Sequence, residues 1–280
     1  MSDRYAVFGH PVAHSRSPEI HAEFARLTGQ DIRYERILAP LDGFATAVAA
    51  FRAAGGRGAN VTLPFKHEAC ALATEMTARA KAADAVNTLR FDGERVLGDN
   101  TDGAGLVRDI ESNLGLSLRA ARVLMLGAGG AAAGVLLPLL EAGVARLHIA
   151  NRSPARARAL ADRHAAHGRP VTGSGLDEDL RDPWDLVVNA TSASLVGEAP
   201  SLAGTVFEAD ALCYDMVYAP DRQAPPGPFL QAARARGARI AEGSGMLIEQ
   251  AAESFALWRG VRPDTRGLLA GMAPAWRGGR

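Results

Sequence analysis

An excess of charge of either sign is missing from this chain. Its 280 residues carry 31 Lys and Arg against 31 Asp and Glu, so the formal net charge is zero. That excludes the broad basic footprint of a nucleic-acid binder and the polybasic strip that adheres to an anionic membrane. Cysteine is nearly absent too. Cys70 and Cys213 stand far apart, which excludes a disulfide framework and a Cys-based zinc site. Such usage fits a reducing compartment, so a cytoplasmic location is expected. His10 and His14, and His164 and His167, are closely spaced but have no Cys or carboxylate set beside them, so no metal is expected. No leader is visible: Met1-Ser2-Asp3-Arg4 is polar, and the apolar run 5–9 is too short for a signal core. One uncharged stretch, 123–140, approaches the ~18 residues of a membrane helix. Gly127, Gly129, Gly130 and Gly134 divide it into strand, turn and helix instead. What is present, 48% hydrophobic and 22% charged residues, is an ordinary globular composition. The length suits one large domain or two modest ones.

Short apolar runs alternate with helical periods, the pattern of parallel α/β sheets. Strands are expected at 5–9, 33–39 and 58–63. A hairpin is expected where 85–91 and 94–98 flank Asp92-Gly93. Ser17-Pro18-Glu19 opens a helix, with Ser at the cap, Pro in the first turn and an acid at the positive end. Ile20, Phe24 and Leu27 mark its buried face. Phe44, Val48 and Phe51 give a second helix, and a third runs from about Thr101 to Leu114. The alternation restarts after Leu114-Gly115-Leu116-Ser117, which places a domain boundary there. Further strands are expected at 123–126, 146–150, 186–190, 212–217 and 239–241, with helices from the glycine turn to about 142 and over 154–167. Residues 219–228, with four prolines, read as a surface loop. Leu247, Ala251, Phe255 and Trp258 return to helical spacing.

Gly127-Ala128-Gly129-Gly130-Ala131-Ala132 fits G-x-G-x-x-G/A, after an expected strand and at the start of an expected helix. The first glycine permits a tight turn, the second lets backbone approach a pyrophosphate, and the small last residue allows close helix–strand packing. The helix N-terminus adds free N–H groups and partial positive charge. Gly127, Ala128, Gly129, Gly130 and Ala131 are therefore candidate cofactor contacts. The next strand ends at Asn151-Arg152-Ser153. NAD sites place Asp or Glu there to hold the ribose 2′-hydroxyl. Arg152, with Arg156 four residues on, suits a 2′-phosphate instead, because a guanidinium binds it with paired hydrogen bonds. NADP is the expected cofactor.

Four polar clusters fall at expected strand ends or helix starts: His14-Ser15-Arg16-Ser17, Asn60-Val61-Thr62-Leu63-Pro64-Phe65-Lys66, Asn87-Thr88 and Gly98-Asp99-Asn100-Thr101-Asp102-Gly103. So many amides and hydroxyls suit a polyhydroxylated small molecule. Taken singly each has a simpler role: Ser17 a helix cap, Lys66 a solvated head, Asp102 an acid at a helix start. Together with Ala85-Val86-Asn87-Thr88, Asn189-Ala190-Thr191-Ser192, Asp215-Met216-Val217-Tyr218 and Gly243-Ser244-Gly245-Met246-Leu247-Ile248-Glu249-Gln250, they make a chain that resembles the shikimate dehydrogenase family over nearly its whole length. It departs in having Ala193-Ser194 where a glycine is frequent and Ser153 where threonine is common.

The resemblance implies an N-terminal α/β substrate domain plus a Rossmann-like, doubly wound NADP-binding domain, with the C-terminal helices returning to the first. The implied boundaries are 1–103 with 245–280, and 104–244. It implies Lys66 and Asp102 as the catalytic pair. Ser15, Ser17, Asn60, Thr62, Asn87, Thr101, Tyr218 and Gln250 would bind substrate. Asn151, Arg152, Ser153, Arg156, Thr191, Ser192, Met216 and Gly243 would line the cofactor. The implied reaction is reversible NADPH-dependent reduction of 3-dehydroshikimate to shikimate, in aromatic amino acid biosynthesis. The partner is a small-molecule substrate, with no nucleic acid and no membrane, and the protein a monomer or homodimer. The alternatives are a quinate/shikimate dehydrogenase of broader specificity and a non-catalytic NADP-binding sensor.

Overall fold

The computed structural model describes residues 2–178, 180–202, 204–219 and 221–279. Met1, Asp179, Ala203, Pro220 and Arg280 lie outside them, so the expected 219–228 loop is described except at Pro220. The chain divides into two compact units, Met1–Gly105 with Ile248–Leu268, and Leu106–Leu247 with Leu269–Arg280.

The first unit holds β1 (Asp3–Gly9), α1 (Ser17–Thr28), β2 (Ile32–Leu38), α2 (Phe44–Ala53), β3 (Gly56–Val61), α3 (Glu68–Leu72), β4 (Glu75–Met76), α4 (Ala78–Ala83), β5 (Thr88–Asp92), β6 (Arg95–Asp99) and the start of α5 (Asp102–Arg108). Its sheet runs β2-β1-β3-β5-β6-β4. β1 pairs in parallel with β2 and β3, whereas β5 is antiparallel to β3 and β6. The β5–β6 hairpin turns at Gly93, whose φ of 59° suits glycine. Phe8, Phe44, Phe51, Phe65 and Leu89 form one core. On α1, Ile20 and Phe24 are buried as their spacing predicts, but Leu27 is 45% exposed. Ser17 is the first helical residue and not the cap: Arg16 holds the cap position without a side-chain bond. The Ser17 N–H donates instead to Ser15 Oγ at 3.3 Å.

The second unit continues α5 as a π-helical turn, Asp109–Asn113. It then runs through β7 (Arg122–Leu126), α6 (Gly130–Glu141), β8 (Arg146–Asn151), α7 (Pro154–Asp162), β9 (Val171–Gly175), β10 (Pro183–Asn189), β11 (Val206–Asp215), α8 (Pro228–Arg234) and β12 (Arg239–Glu242). Every strand pair is parallel, in the order β12-β11-β10-β7-β8-β9. Counted from β7 as the first strand, this is 3-2-1-4-5-6, the doubly wound order whose switch point lies between the first and fourth strands. Alternate residues explain the strands' continuous apolarity. Val123 and Met125 pack with α6, while Leu124 and Leu126 pack with Phe229 and Leu230 of α8. Both faces of the sheet are covered. The helix expected over 154–167 ends at Asp162, and Ala165–His167 is a separate 3-10 turn.

Two last helices follow, α9 (Ser244–Arg259) and α10 (Arg266–Met272). From Ile248 onward α9 belongs to the first unit, where Trp258 stacks on Tyr5 at 4.6 Å and its indole N–H donates to Leu89 O at 3.0 Å. The expected grouping of 245–280 with the first unit fails at its end, because 269–280 packs with the second. Ile240 N donates to Gly279 O at 3.0 Å, Gly278 N donates to Ile240 O at 2.7 Å, and Trp276 Nε1 donates to Ala224 O at 2.9 Å. Residues 104–105 fall with the first unit and 245–247 with the second.

Candidate active site

Lys66 follows Phe65, which is buried and stacked on Phe44 at 4.7 Å, and its own carbonyl accepts from Val86 N at 2.8 Å. The backbone is pinned on both sides, so the ammonium is aimed. It donates to Asp102 Oδ2 at 2.6 Å, with the Lys66 side chain 24% exposed and Asp102 4%. Asp102 opens α5, where a carboxylate meets the positive helix end. Asn87 Nδ2 reaches the other carboxylate oxygen at 2.8 Å, Thr101 Oγ1 at 3.0 Å and Gln250 Oε1 at 3.1 Å. Lys66, Asn87, Thr101, Asp102 and Gln250, from four separate stretches of sequence, thus form one polar cluster.

Asn60 joins the cluster at its far side. Its Nδ2 donates to Ser254 Oγ at 2.9 Å and to Thr88 Oγ1 at 3.1 Å, and its Oδ1 accepts from Tyr34 at 2.8 Å. Ser15 and Ser17 form a separate pair, hydroxyl to hydroxyl at 3.2 Å. The Thr62 hydroxyl makes no hydrogen bond to a described residue. Ser254 and Tyr34 carry no role in the sequence, and Thr88 stands there only as part of the Asn87-Thr88 cluster; Ser254 lies four residues after Gln250 on α9, a helical spacing that does put both on one face. Asp99, beside Asn100-Thr101, is buried. Burial works to raise its pKa, but a bidentate Arg79, at 2.8 and 2.5 Å, and Thr77 hold it below its ordinary value.

In the second unit Gly127 leaves β7 with φ 107°, and its N–H donates to Ala150 O at 2.8 Å. A Cβ there would stand 3.1 Å from Thr191 Cγ2 and 3.2 Å from Ala190 O, just past β10. The glycine turn and Thr191 therefore meet at the switch point. A Cβ on Gly129 or Gly130 would meet nothing within 4 Å. Internal packing demands the first glycine but not these two, which leave room for a ligand at the start of α6. Arg152 and Arg156 are exposed and pair with no described residue; Asn151 Nδ2 closes the turn onto Ser153 O at 3.0 Å. Two free guanidiniums and an open helix N-terminus fit the phosphates of NADP.

Asn189, buried at the end of β10, organises the next loop. Its Oδ1 accepts from the Thr191 hydroxyl at 2.7 Å, and its Nδ2 donates to Ser194 Oγ at 3.1 Å and Asp215 Oδ2 at 3.2 Å. Ser194 Oγ donates to Asp215 Oδ2 at 2.5 Å. The departure at Ser194 thus supplies a hydroxyl to a carboxylate whose pKa burial raises. Ser192 is exposed, and Met216 and Tyr218 are half-buried. Tyr218 is in the second unit, unlike the seven other expected substrate residues. Gly243 allows a close approach, since a Cβ would lie 2.3 Å from Met216 O. A buried ionic group behind this loop was not legible in the sequence. Arg277 pairs with Asp109, and its Nε lies 3.4 Å from Glu242 Oε1. Tyr214 donates to Asp109 at 2.6 Å, and Glu242 accepts from Ser244 and from Ala219 N.

A doubly wound parallel sheet with a glycine turn at its switch point, and a second α/β unit bearing a Lys–Asp pair among amides and hydroxyls, define a nicotinamide-dependent dehydrogenase of two-unit build. Comparison with known proteins gives the particular family. Residues 7–89 match the model of the shikimate dehydrogenase substrate binding domain, 109–197 that of shikimate / quinate 5-dehydrogenase, and 243–268 that of the shikimate 5'-dehydrogenase C-terminal domain. The shikimate dehydrogenase (NADP(+)) of Nitrosospira multiformis is 58% identical over 271 residues, 96% of either chain. That of Aromatoleum aromaticum is 57% identical over 280 residues, 99% of either chain. The shikimate 5-dehydrogenase of Thermus thermophilus, solved in complex with NADP(H) and shikimate, is 36% identical with a TM-score of 0.83, covering 95% of this chain and 97% of that one. The chain belongs to the shikimate dehydrogenase family.

Proposed function

We propose that this chain catalyses the reversible reduction of 3-dehydroshikimate to shikimate with NADPH, with Lys66 and Asp102 as the reacting pair. The observation that carries the reading is the 2.6 Å Lys66–Asp102 contact beside Asn87, Thr101 and Gln250. Held at the glycine turn and by Arg152, the nicotinamide cofactor would supply the hydride taken by the ketone carbon. As charge builds on the ketone oxygen, the Lys66 ammonium faces it with N–H donors and passes it a proton. Lys66 Nζ then regains a proton from water. Asp102 accepts one Lys66 N–H throughout, which fixes the side chain and offsets the ammonium charge before and after the transfer. Ser15, Ser17, Asn60, Thr62, Asn87, Thr101 and Gln250 bind the hydroxyls and the carboxylate of the ring.

On the cofactor side Arg152 and Arg156 take the 2′-phosphate, and the first turn of α6, bare at Gly129 and Gly130, takes the pyrophosphate. Thr191, Ser192, Met216 and Gly243 line the rest. The protein works in the cytoplasm on small molecules alone, as a monomer or homodimer; its even charge and two lone cysteines support this. No described helix is long and apolar enough to cross a membrane. One spectrophotometric assay tests the reading: shikimate or quinate crossed with NADP or NAD, followed at the nicotinamide absorbance. Turnover of shikimate with NADP is expected. NADP binding without turnover on either acid would overturn it in favour of a sensor.

A further inference from the structure

We propose that Ser254 on α9 is a positioning residue that orients the Asn60 amide and, through Thr88 and Asn87, steadies the Asp102 carboxylate against Lys66. The inference rests on the site proposed above.

Two groups around Asn87 have a fixed hydrogen-bonding sense. Thr101 N is a backbone donor, and it lies 2.9 Å from Asn87 Oδ1. Asp102 Oδ1, paired through its partner oxygen with Lys66, accepts from Asn87 Nδ2 at 2.8 Å. The Asn87 amide therefore has its carbonyl toward Thr101 N and its NH2 toward Asp102. Thr88 Oγ1 lies 2.8 Å from that carbonyl, so Thr88 spends its one proton there. Thr88 must then be the acceptor in its 2.8 Å contact with Ser254 Oγ, and Ser254 the donor. With its own proton committed, Ser254 accepts from Asn60 Nδ2 at 2.9 Å. Asn60 is left with its carbonyl toward Tyr34, whose phenol donates at 2.8 Å.

The hydrogen bonds run one way, from Tyr34 through Asn60, Ser254, Thr88 and Asn87 to Asp102. Ser254 is fully buried, so water does not replace it. The same Ser254 proton also reaches the Gln250 carbonyl, one turn back on α9, at a longer 3.1 Å, and its Oγ lies 3.3 Å from Thr101 Oγ1. Remove the hydroxyl and Thr88 loses its shorter donor, keeping Asn60 Nδ2 at 3.1 Å, while Asn60 Nδ2 loses its shortest acceptor. The Thr88 hydroxyl, without that partner, can turn from Asn87 Oδ1, and the Asn87 amide, still oriented by Thr101 N and Asp102, shifts against the carboxylate, so that the pair with Lys66 loosens.

The test is steady-state kinetics of shikimate oxidation by the full chain carrying Ser254→Ala, Thr88→Val and both. Each single variant is expected to lower kcat/KM for shikimate about tenfold, since buried links of this kind orient reacting groups, while the KM for NADP stays within about twofold. The double variant is expected to match the singles, because a chain once broken loses little from a second break. Ser254→Cys keeps a weaker donor at similar volume and is expected to recover part of the loss, which a merely space-filling role would not show. Unchanged shikimate kinetics in Ser254→Ala, or losses that multiply in the double variant, would overturn the inference. Inactivity of the unaltered chain on shikimate would instead overturn the proposed function.

Discussion

Replacing Arg277 with Met is the perturbation that most directly weighs the buried ionic group of the second unit. The Arg277 side chain is 5% exposed and Asp109 is fully buried. Methionine fills similar volume but removes the guanidinium, while the Tyr214 hydroxyl, at 2.6 Å, and the Asn113 amide, at 3.0 Å, stay against the Asp109 carboxylate and carry no compensating charge. Breaking one side of a buried pair costs about 3–5 kcal/mol. That is at least a fifth of the stability of an ordinary domain, about 5–15 kcal/mol. Urea unfolding read by fluorescence in a Trp258→Phe background would follow Trp184 and Trp276, the second unit's own reporters. Adding Asp109→Asn removes the stranded charge. The cost of Arg277→Met in that background should therefore fall by about 2 kcal/mol or more. A single-variant loss under about 1 kcal/mol, or costs that simply add, would show that Arg277 does not neutralise Asp109.

Three further outcomes are expected. Lys66→Ala should lower kcat at least ~10²-fold with little change in KM, since it removes a transition-state contact; steady-state rates with shikimate decide it, and an unchanged kcat sinks the pair. Arg152→Ala should weaken NADP by roughly 1.5–3 kcal/mol and leave NAD nearly unaffected; calorimetric titration with both cofactors would expose equal losses, which the 2′-phosphate role forbids. His21 is buried, stacked on Tyr34 at 4.3 Å, and its pKa is pushed by burial from 6.5 down to about 3. The unfolded chain therefore binds the proton first as pH falls. His21's contribution is complete above about pH 6.5 and is lost on the way toward pH 3, about 2 kcal/mol by pH 5. His21→Phe should flatten the urea midpoint's decline over pH 7–5, and an equally steep decline in the variant would contradict this.

Features carried by neighbouring residues were legible in the sequence. Val123 to Gly130 announces strand, turn and helix within eight letters, and Asp92-Gly93 fixes a hairpin, because both signals are local backbone chemistry. Arg152 could be read as a phosphate ligand because its place after β8 follows from the turn. The site itself needed the resemblance, since Lys66 and Asp102 stand 36 residues apart on separate elements, and no periodicity joins them. Ser254 stands 194 residues from Asn60, and Arg277 stands 168 from Asp109. Arginine is ordinarily exposed, so nothing in its letter foretold burial. β9, Val171-Thr-Gly-Ser-Gly, has too little apolar side chain to look like a strand. It is held by pairing with β8.

The backbone bonds between Ile240 and Gly278 and Gly279 have a consequence beyond anchoring the last residues. β12 is the outermost strand of its sheet, and an outermost strand with bare N–H and C=O groups invites another chain to add itself on. The tail occupies those groups at Ile240 with its own backbone, as a selvedge finishes a cloth. A chain shortened by those residues would keep every side chain proposed for catalysis yet offer a ragged border to its neighbours, and would fail first by clumping at high concentration.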